Sequence, residues 1–463
     1  MSRMSVARRE STGPTAPGEP RPGRSVPPRC APGPDPGAGE AGLLARLASP
    51  GASLRVPALA ALPDGTLLLV HDRRPLPVGE SWRRAGGALP DDLPNPNTLW
   101  LRSSSDCGAT WSPPQRLDPD LPGITGISDP SLIVAPCRPE PAHCGPEPPG
   151  PHQEGHRIGA LGPTAGPPAG DRRPVVHLLA TAAGDVGLFG AHPPARRARP
   201  GQTPEPGTLR LLHATSRDCG ATWCWRDITD AALPSTAWPN GAVLFTVSGH
   251  GLALRHLGRT GRLIQPVVAA LEPGLDGARP LRSACLLSED SGASWHLGEA
   301  VPTTAATGAA SLSGGAATCG VDEHAVVELA DGRLLTSARD GAYAGTRLSA
   351  WSIDGGQSWS AAHRQNDLPD PGCNAGLAAL PDGRLLLSHA ANGTARREGR
   401  LSLSVEGASW RPLVRLRHAE IPFGYSDLAL VPAGRTGATR AVVVAEEPAP
   451  EGTTLVVLAV AVD

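Results

Sequence analysis

The chain has 463 residues, with 42 Lys and Arg against 44 Asp and Glu, so its net charge of −2 carries no footprint for nucleic acid or an anionic membrane surface. Forty per cent of the residues are hydrophobic, enough for a sizeable core, yet no apolar run reaches the roughly 18 residues of a membrane-spanning helix. The nine cysteines are odd in number, irregularly spaced and free of any C-x-x-C pair, which excludes a disulfide framework and a structural zinc site.

The N-terminal stretch MSRMSVARREST runs into proline-rich sequence without an apolar segment, so no secretory signal is read and a cytoplasmic location is expected. Residues 1–42 hold Pro, Gly and charge with almost no aromatics and are expected to be disordered. From residue 43 onward the chain reads as short strands. RVPALAALPDGTLLLVHD is an apolar run, a P-D-G turn and a second apolar run, which is a hairpin signal. The D-G turn returns at 331–332 and 382–383, each time followed by a leucine-rich run. Residues 137–173 are again Pro-rich and are expected to form a surface insertion. No segment sustains a 3.6-residue apolar period, so little helix is expected.

An octapeptide then repeats along the chain. It begins at Ser104, with Asp106, Gly108, Thr110 and Trp111, and returns at Ser216, Ser288 and Ser352. A copy shortened by one residue runs from Ser404 to Trp410. The pattern S-x-D-x-G-x-[ST]-W is the Asp box: the carboxylate is suited to accept backbone N–H groups of a tight turn, the glycine permits positive φ, and the tryptophan packs under the turn. Five of the ten tryptophans lie in these boxes. Repeats of several strands at such periods indicate propeller blades, and the boxes themselves are structural.

From about residue 50 to 463 the chain resembles the bacterial sialidase (neuraminidase) family, which implies an all-β, six-bladed β-propeller hydrolysing terminal sialic acid. The motif Leu54-Arg55-Val56-Pro57 is similar to the family's F/Y-R-I-P, making Arg55 the first of three arginines that grip the substrate carboxylate. Glu323, with Arg339 sixteen residues on, fits the acidic pair and second arginine; Arg396, with Arg397 as neighbour and alternative, fits the third. Planar guanidinium groups match a carboxylate bidentately, where lysine offers a point charge. The family sets a glutamate beside the first arginine, and in VVVAEEPAP Glu447 is taken for this role, with Glu446 as the alternative.

Tyr425, in Phe423-Gly424-Tyr425-Ser426, matches the family's nucleophile, and it is one of only two tyrosines in the chain. A neutral phenol avoids the repulsion that a carboxylate nucleophile meets at a carbon already bearing a carboxylate, and sialidases are a recognised exception among glycosidases. Glu323 would be its base, and the arginines are expected to lower its pKa. Asp92, with Asp91 adjacent, matches the general acid/base. Asp129 in Ser128-Asp129-Pro130-Ser131, Asn374 and Phe189 are further expected substrate-binding residues. The resemblance implies sialylated glycans as partners, no cofactor, no metal, no membrane insertion and a monomer. A non-catalytic glycan-binding propeller, a trans-sialidase and a glycosidase for a related acidic sugar stay open as alternatives.

Overall fold

The computed structural model describes residues 41–76, 92–117, 119, 121–136, 157–158, 173–192, 205–232, 242–256, 258–271, 280–304, 320–433 and 438–462. They form six small sheets, one per blade of a β-propeller, as the sequence led us to expect. Blade 1 runs Ala52–Ala61, Leu67–Pro75, Thr98–Ser104, Gln115–Arg116; blade 4 runs Val321–Glu328, Leu334–Asp340, Thr346–Ser352, His363–Pro369. Blades 2, 3 and 5 have inner strands at Gly126–Ala135, Ala242–Thr246 and Gly376–Ala379. Blade 6 combines Ser426–Ala433, Ala438–Pro448 and Thr453–Ala461 with an outer strand from the opposite end of the chain, Gly42–Leu47, which pairs antiparallel with Thr453–Ala461. Helix is confined among the described residues to Thr229–Ala232 and a 3₁₀ turn at Leu188–Gly190.

The D-G hairpins form as their residues require. Asp64 accepts the Thr66 N–H at 2.9 Å, and Gly65 takes φ +88. The core lies between neighbouring blades. Leu59 and Leu69 of blade 1 pack with Val442 and Val457 of blade 6, all buried. Strands apolar on both faces, such as Leu67–Val70, follow from each sheet being covered on both sides. On the propeller axis His250 Nδ1 meets Asp427 Oδ1 at 2.7 Å, while Asp427 Oδ2 accepts the Leu59 N–H at 2.8 Å.

The boxes close as their chemistry dictates. Asp106 Oδ1 accepts the Thr110 N–H at 2.9 Å and the Ser104 hydroxyl at 2.8 Å, and the Ser104 hydroxyl accepts the Gly108 N–H at 2.8 Å. The same bonds recur at Asp218, Asp290 and Asp354. Trp111 and Trp223 donate their indole N–H to the box glycine carbonyl at 3.0 Å. The residue ahead of the glycine is also left-handed, at Cys107 (φ +59), Cys219 (φ +60) and Ser291 (φ +57). Each box follows the third strand of its blade, so it sits at the face opposite the N-terminal ends of the inner strands.

Three expectations change. The first blade strand starts at Gly42, so that residue belongs to the propeller, while residues 1–40 lie outside the described residues. Most of 137–173 also lies outside them, but Arg157–Ile158 pairs with Trp223–Cys224 as an added edge strand of blade 2. Cys107 is disulfide-bonded, against the reading drawn from the cysteine count.

Candidate active site

The N-terminal ends of the inner strands converge on a pocket of about 710 Å³, within the roughly 300–1,000 Å³ typical of small-molecule sites. Three inner strands break register there. The ladder slips between Arg55 and Ala58, between Ser128 and Ser131, and between Val321 and His324. Such bulges re-aim side chains, and these direct Arg55, Asp129 and the pair Asp322–Glu323 into the pocket. Left-handed non-glycine residues concentrate there too. Val56 (φ +48), Asp129 (φ +55) and Tyr343 (φ +53) all line it, and every other example outside the boxes among the described residues is Glu398, beside Arg396. Strained backbone of this kind persists where the surroundings over-determine it, as at ligand sites.

At the centre stands Tyr425, 7% exposed, whose hydroxyl donates to Glu323 Oε2 and accepts from Arg339 Nη1 at 3.0 Å. Arg339 Nη1 also reaches Glu323 at 2.9 Å, and its Nε faces the Asp322 carboxylate at 3.2 Å. The guanidinium carbons of Arg396 and Arg55 lie 5.0 and 6.0 Å from the Tyr425 ring centroid. Arg396 lines the pocket and donates to the Gly372 carbonyl at 3.3 Å; its neighbour Arg397 instead bridges Pro422. Asp92 projects into solvent at the mouth, side chain 85% exposed, and pairs with Arg74 at 2.5 Å. Asp91 lies outside the described residues.

Glu446, not Glu447, neighbours Arg55. Its Oε1 accepts Arg55 Nε and the Val56 N–H, each at 2.8 Å, and its Oε2 accepts the Tyr425 N–H at 3.2 Å. Glu447 bonds Arg46 and Arg417. The reason is strand alternation: Glu446 shares the side of Val442 and Val444, which pack toward blade 1, whereas Glu447 shares that of Val443 and Ala445, which pack toward blade 5. Asn374 lies apart from the pocket lining. Its amide donates to Ser248 O at 2.7 Å and Ser248 Oγ at 3.0 Å, its oxygen accepts the Ala375 N–H, and it does not line the pocket. Phe189 sits in the Leu188–Gly190 turn beside the pocket; its side chain lies outside the described residues.

Sequence reasoning gave no role of their own to Arg74, Asp72, Asp322 and Tyr343. Arg74 is buried between Asp72 Oδ2, at 3.0 Å, and Ser128 Oγ, at 3.3 Å, and lines the pocket as a fourth arginine. The signal was present in VHDRRP. Asp72 pairs with Arg55 across the hairpin, and a strand period of two puts Arg74 on the same face as Asp72.

Burial dominates the electrostatics. It pushes the Glu323 carboxyl above its usual range, against the pull of Arg339, and does the same to Asp129. Tyr425 was expected to be lowered by the arginines. Instead burial and the Glu323 charge raise it well above 10, outweighing Arg339 and Arg396. It is therefore a neutral phenol that needs a base in contact, and Glu323 is in contact.

Burial acts in the opposite sense on histidine. His71, His177 and His324 are lowered to about 4 and His389 to about 3, with burial the first cause in each. Their unfolded value is near 6.5, so between about pH 6.5 and 4 the unfolded chain binds protons that the folded chain refuses. Each ring then removes up to about 1.4 kcal/mol of stability per pH unit of acidification. Asp72, Asp129 and Glu323, raised by burial, work the other way, and the histidines, with the similarly lowered His213, outnumber them. The urea midpoint is expected to fall steadily from pH 7 to 4.5; a flat midpoint would mean these rings are not held neutral.

Among the described residues, no group of three His, Cys, Asp or Glu is placed to hold a metal ion, and no helix is long and apolar enough to cross a membrane.

Fold, boxes and pocket define a six-bladed Asp-box propeller with an arginine-lined cleft. The sequence matches the family described as BNR repeat-like domain over residues 195–437. It is 30% identical over 395 residues to a sialidase of Micromonospora viridifaciens, covering 83% of this chain and 49% of that protein, so the chain spans about half the length of the curated relatives it matches. Among solved structures, the intramolecular trans-sialidase of Ruminococcus gnavus superposes with a TM-score of 0.57 at 16% identity, over 89% of this chain and 94% of the other. The NanB sialidase of Streptococcus pneumoniae gives 0.59 at 16% identity, over 91% and 70%. At that identity the structural likeness speaks for the fold. The chain belongs to the BNR-repeat sialidase family.

Proposed function

We propose that this chain is a retaining exo-α-sialidase that removes terminal sialic acid from sialylated glycans. The observation that carries the reading is the contact between the Tyr425 hydroxyl and Glu323 inside a pocket lined by Arg55, Arg339 and Arg396. A neutral sugar gives no reason to gather three guanidinium groups, whereas the carboxylate on the anomeric carbon of a sialoside does. With that carboxylate on the arginines, the Tyr425 oxygen attacks the anomeric carbon while Glu323 takes the phenolic proton. Asp92 gives its proton to the departing glycosidic oxygen as that bond breaks. In the second half, Asp92 takes a proton from water, the water oxygen attacks the anomeric carbon, and the phenolate leaves and recovers its proton from Glu323. Two inversions give net retention.

The test is release of 4-methylumbelliferone from its α-sialoside, with NMR observation of the first-formed sugar. Turnover giving α-sialic acid supports the reading. A 2,7-anhydro product, or transfer to an added galactoside, makes the chain a transferase. No turnover by folded protein sinks the enzymatic reading.

A further inference from the structure

Tyr343 is one of four exposed large hydrophobic residues among those described, 50% exposed, and the only one of them that lines the pocket. Its left-handed backbone is held from several sides. The Tyr343 N–H donates to the Asp340 carbonyl at 3.0 Å, and the buried Asp340 carboxylate accepts the N–H groups of Ala342 and Ala344 and pairs with Arg364 at 2.6 Å. The ring rests against Gly372, where a Cβ would stand 2.4 Å from Tyr343 Cδ1. An uncommon conformation for a bulky residue is thus fixed on both sides, and it sets the phenol over Arg339, whose guanidinium carbon lies 5.3 Å from the ring centroid.

The donor inventory of Arg339 gives this placement its meaning. A guanidinium has five N–H groups. Here the buried Nε faces Asp322 without a hydrogen bond, Nη1 donates to Glu323 and Tyr425, and Nη2 donates to the Tyr343 hydroxyl at 2.5 Å. One N–H, on Nη2, is left for a ligand, so Arg339 alone cannot present the two-pronged fork that a carboxylate prefers. The Tyr343 hydroxyl lies beside that N–H. It accepts from a cation, which strengthens it as a donor, and among the described residues its own proton has no protein acceptor.

We infer that Tyr343 is a specificity-determining residue whose hydroxyl supplies, beside Arg339 Nη2, the second hydrogen bond to the substrate carboxylate. The inference rests on the sialidase reading and adds a neutral donor to its arginines. Tyr343→Phe keeps the ring and its seat on Gly372 and removes only the hydroxyl. A hydrogen bond to a charged group gives an expected tenfold or so weakening of binding of 2-deoxy-2,3-didehydro-N-acetylneuraminic acid, measured by calorimetry, and a similar rise in KM with most of kcat kept. The methyl ester of the same sugar, which carries no charge, should bind wild type and variant alike. Equal affinity of the two proteins for the free acid, or the same loss for acid and ester, overturns the inference while leaving the sialidase reading in place. Failure of wild type to bind the acid overturns that reading, and the inference with it.

Discussion

Tyr425→Phe is expected to lower kcat on an α-sialoside by about a thousandfold, in line with loss of a nucleophile and its proton transfer. The ring packs among Val56, Cys373 and Phe423, and phenylalanine fills the same space, so the fold should survive. What disappears is the hydroxyl between Glu323 and Arg339, which leaves Glu323 its contact with Arg339. Steady-state kinetics with a parallel thermal melt separate the two effects. A variant within tenfold of wild type would remove Tyr425 from the chemistry.

Glu446→Gln should lose about a hundredfold in kcat/KM and about 3 kcal/mol of stability. The carboxylate accepts from Arg55 and from the backbone of Val56 and Tyr425, and so ties the first arginine, a strained turn and the nucleophile to one buried charge. The amide cannot accept on its nitrogen, and Arg55, only 14% exposed, loses its charged contact with Glu446; breaking a buried pair this way costs roughly 3–5 kcal/mol. Displacing groups at the site by about 1 Å is enough for a hundredfold loss. The control is the next residue. Glu447→Gln loosens Arg46 and Arg417, which do not line the pocket, and kcat/KM should stay within about threefold. If the two variants exchanged these outcomes, the strand would be facing the other way from the one described.

The comparison of the two glutamates also marks where sequence reasoning stops. The boxes were legible because each role is local: Ser104, Asp106 and Gly108 bond one another within five residues. Tyr425 and Arg55 were legible through short motifs at strand starts. Which of Glu446 and Glu447 faces Arg55 depends on pairing between segments almost 400 residues apart, and Leu-Ala-Val-rich strands buried on both faces give no alternation to break the tie. Asn374 reads as a pocket residue because it matches a pocket Asn of the family, yet its amide is consumed by Ser248, more than 100 positions away. The shift of Tyr425 was misjudged for a related reason. Charge can be counted along a sequence, but the degree of burial that overrides it cannot.

The pairing of Gly42–Leu47 with Thr453–Ala461 reverses the order in which the molecule is made and finished. During synthesis Gly42–Leu47 emerges about 400 residues ahead of its partner Thr453–Ala461, so blades 1 to 5 can stack on one another while the ring stays open. Closure is a contact of very long sequence separation, the kind that slows folding most. Until it forms, the nascent molecule carries a bare strand edge at each end of the stack, and those edges are the places where one unfinished chain can pair with another.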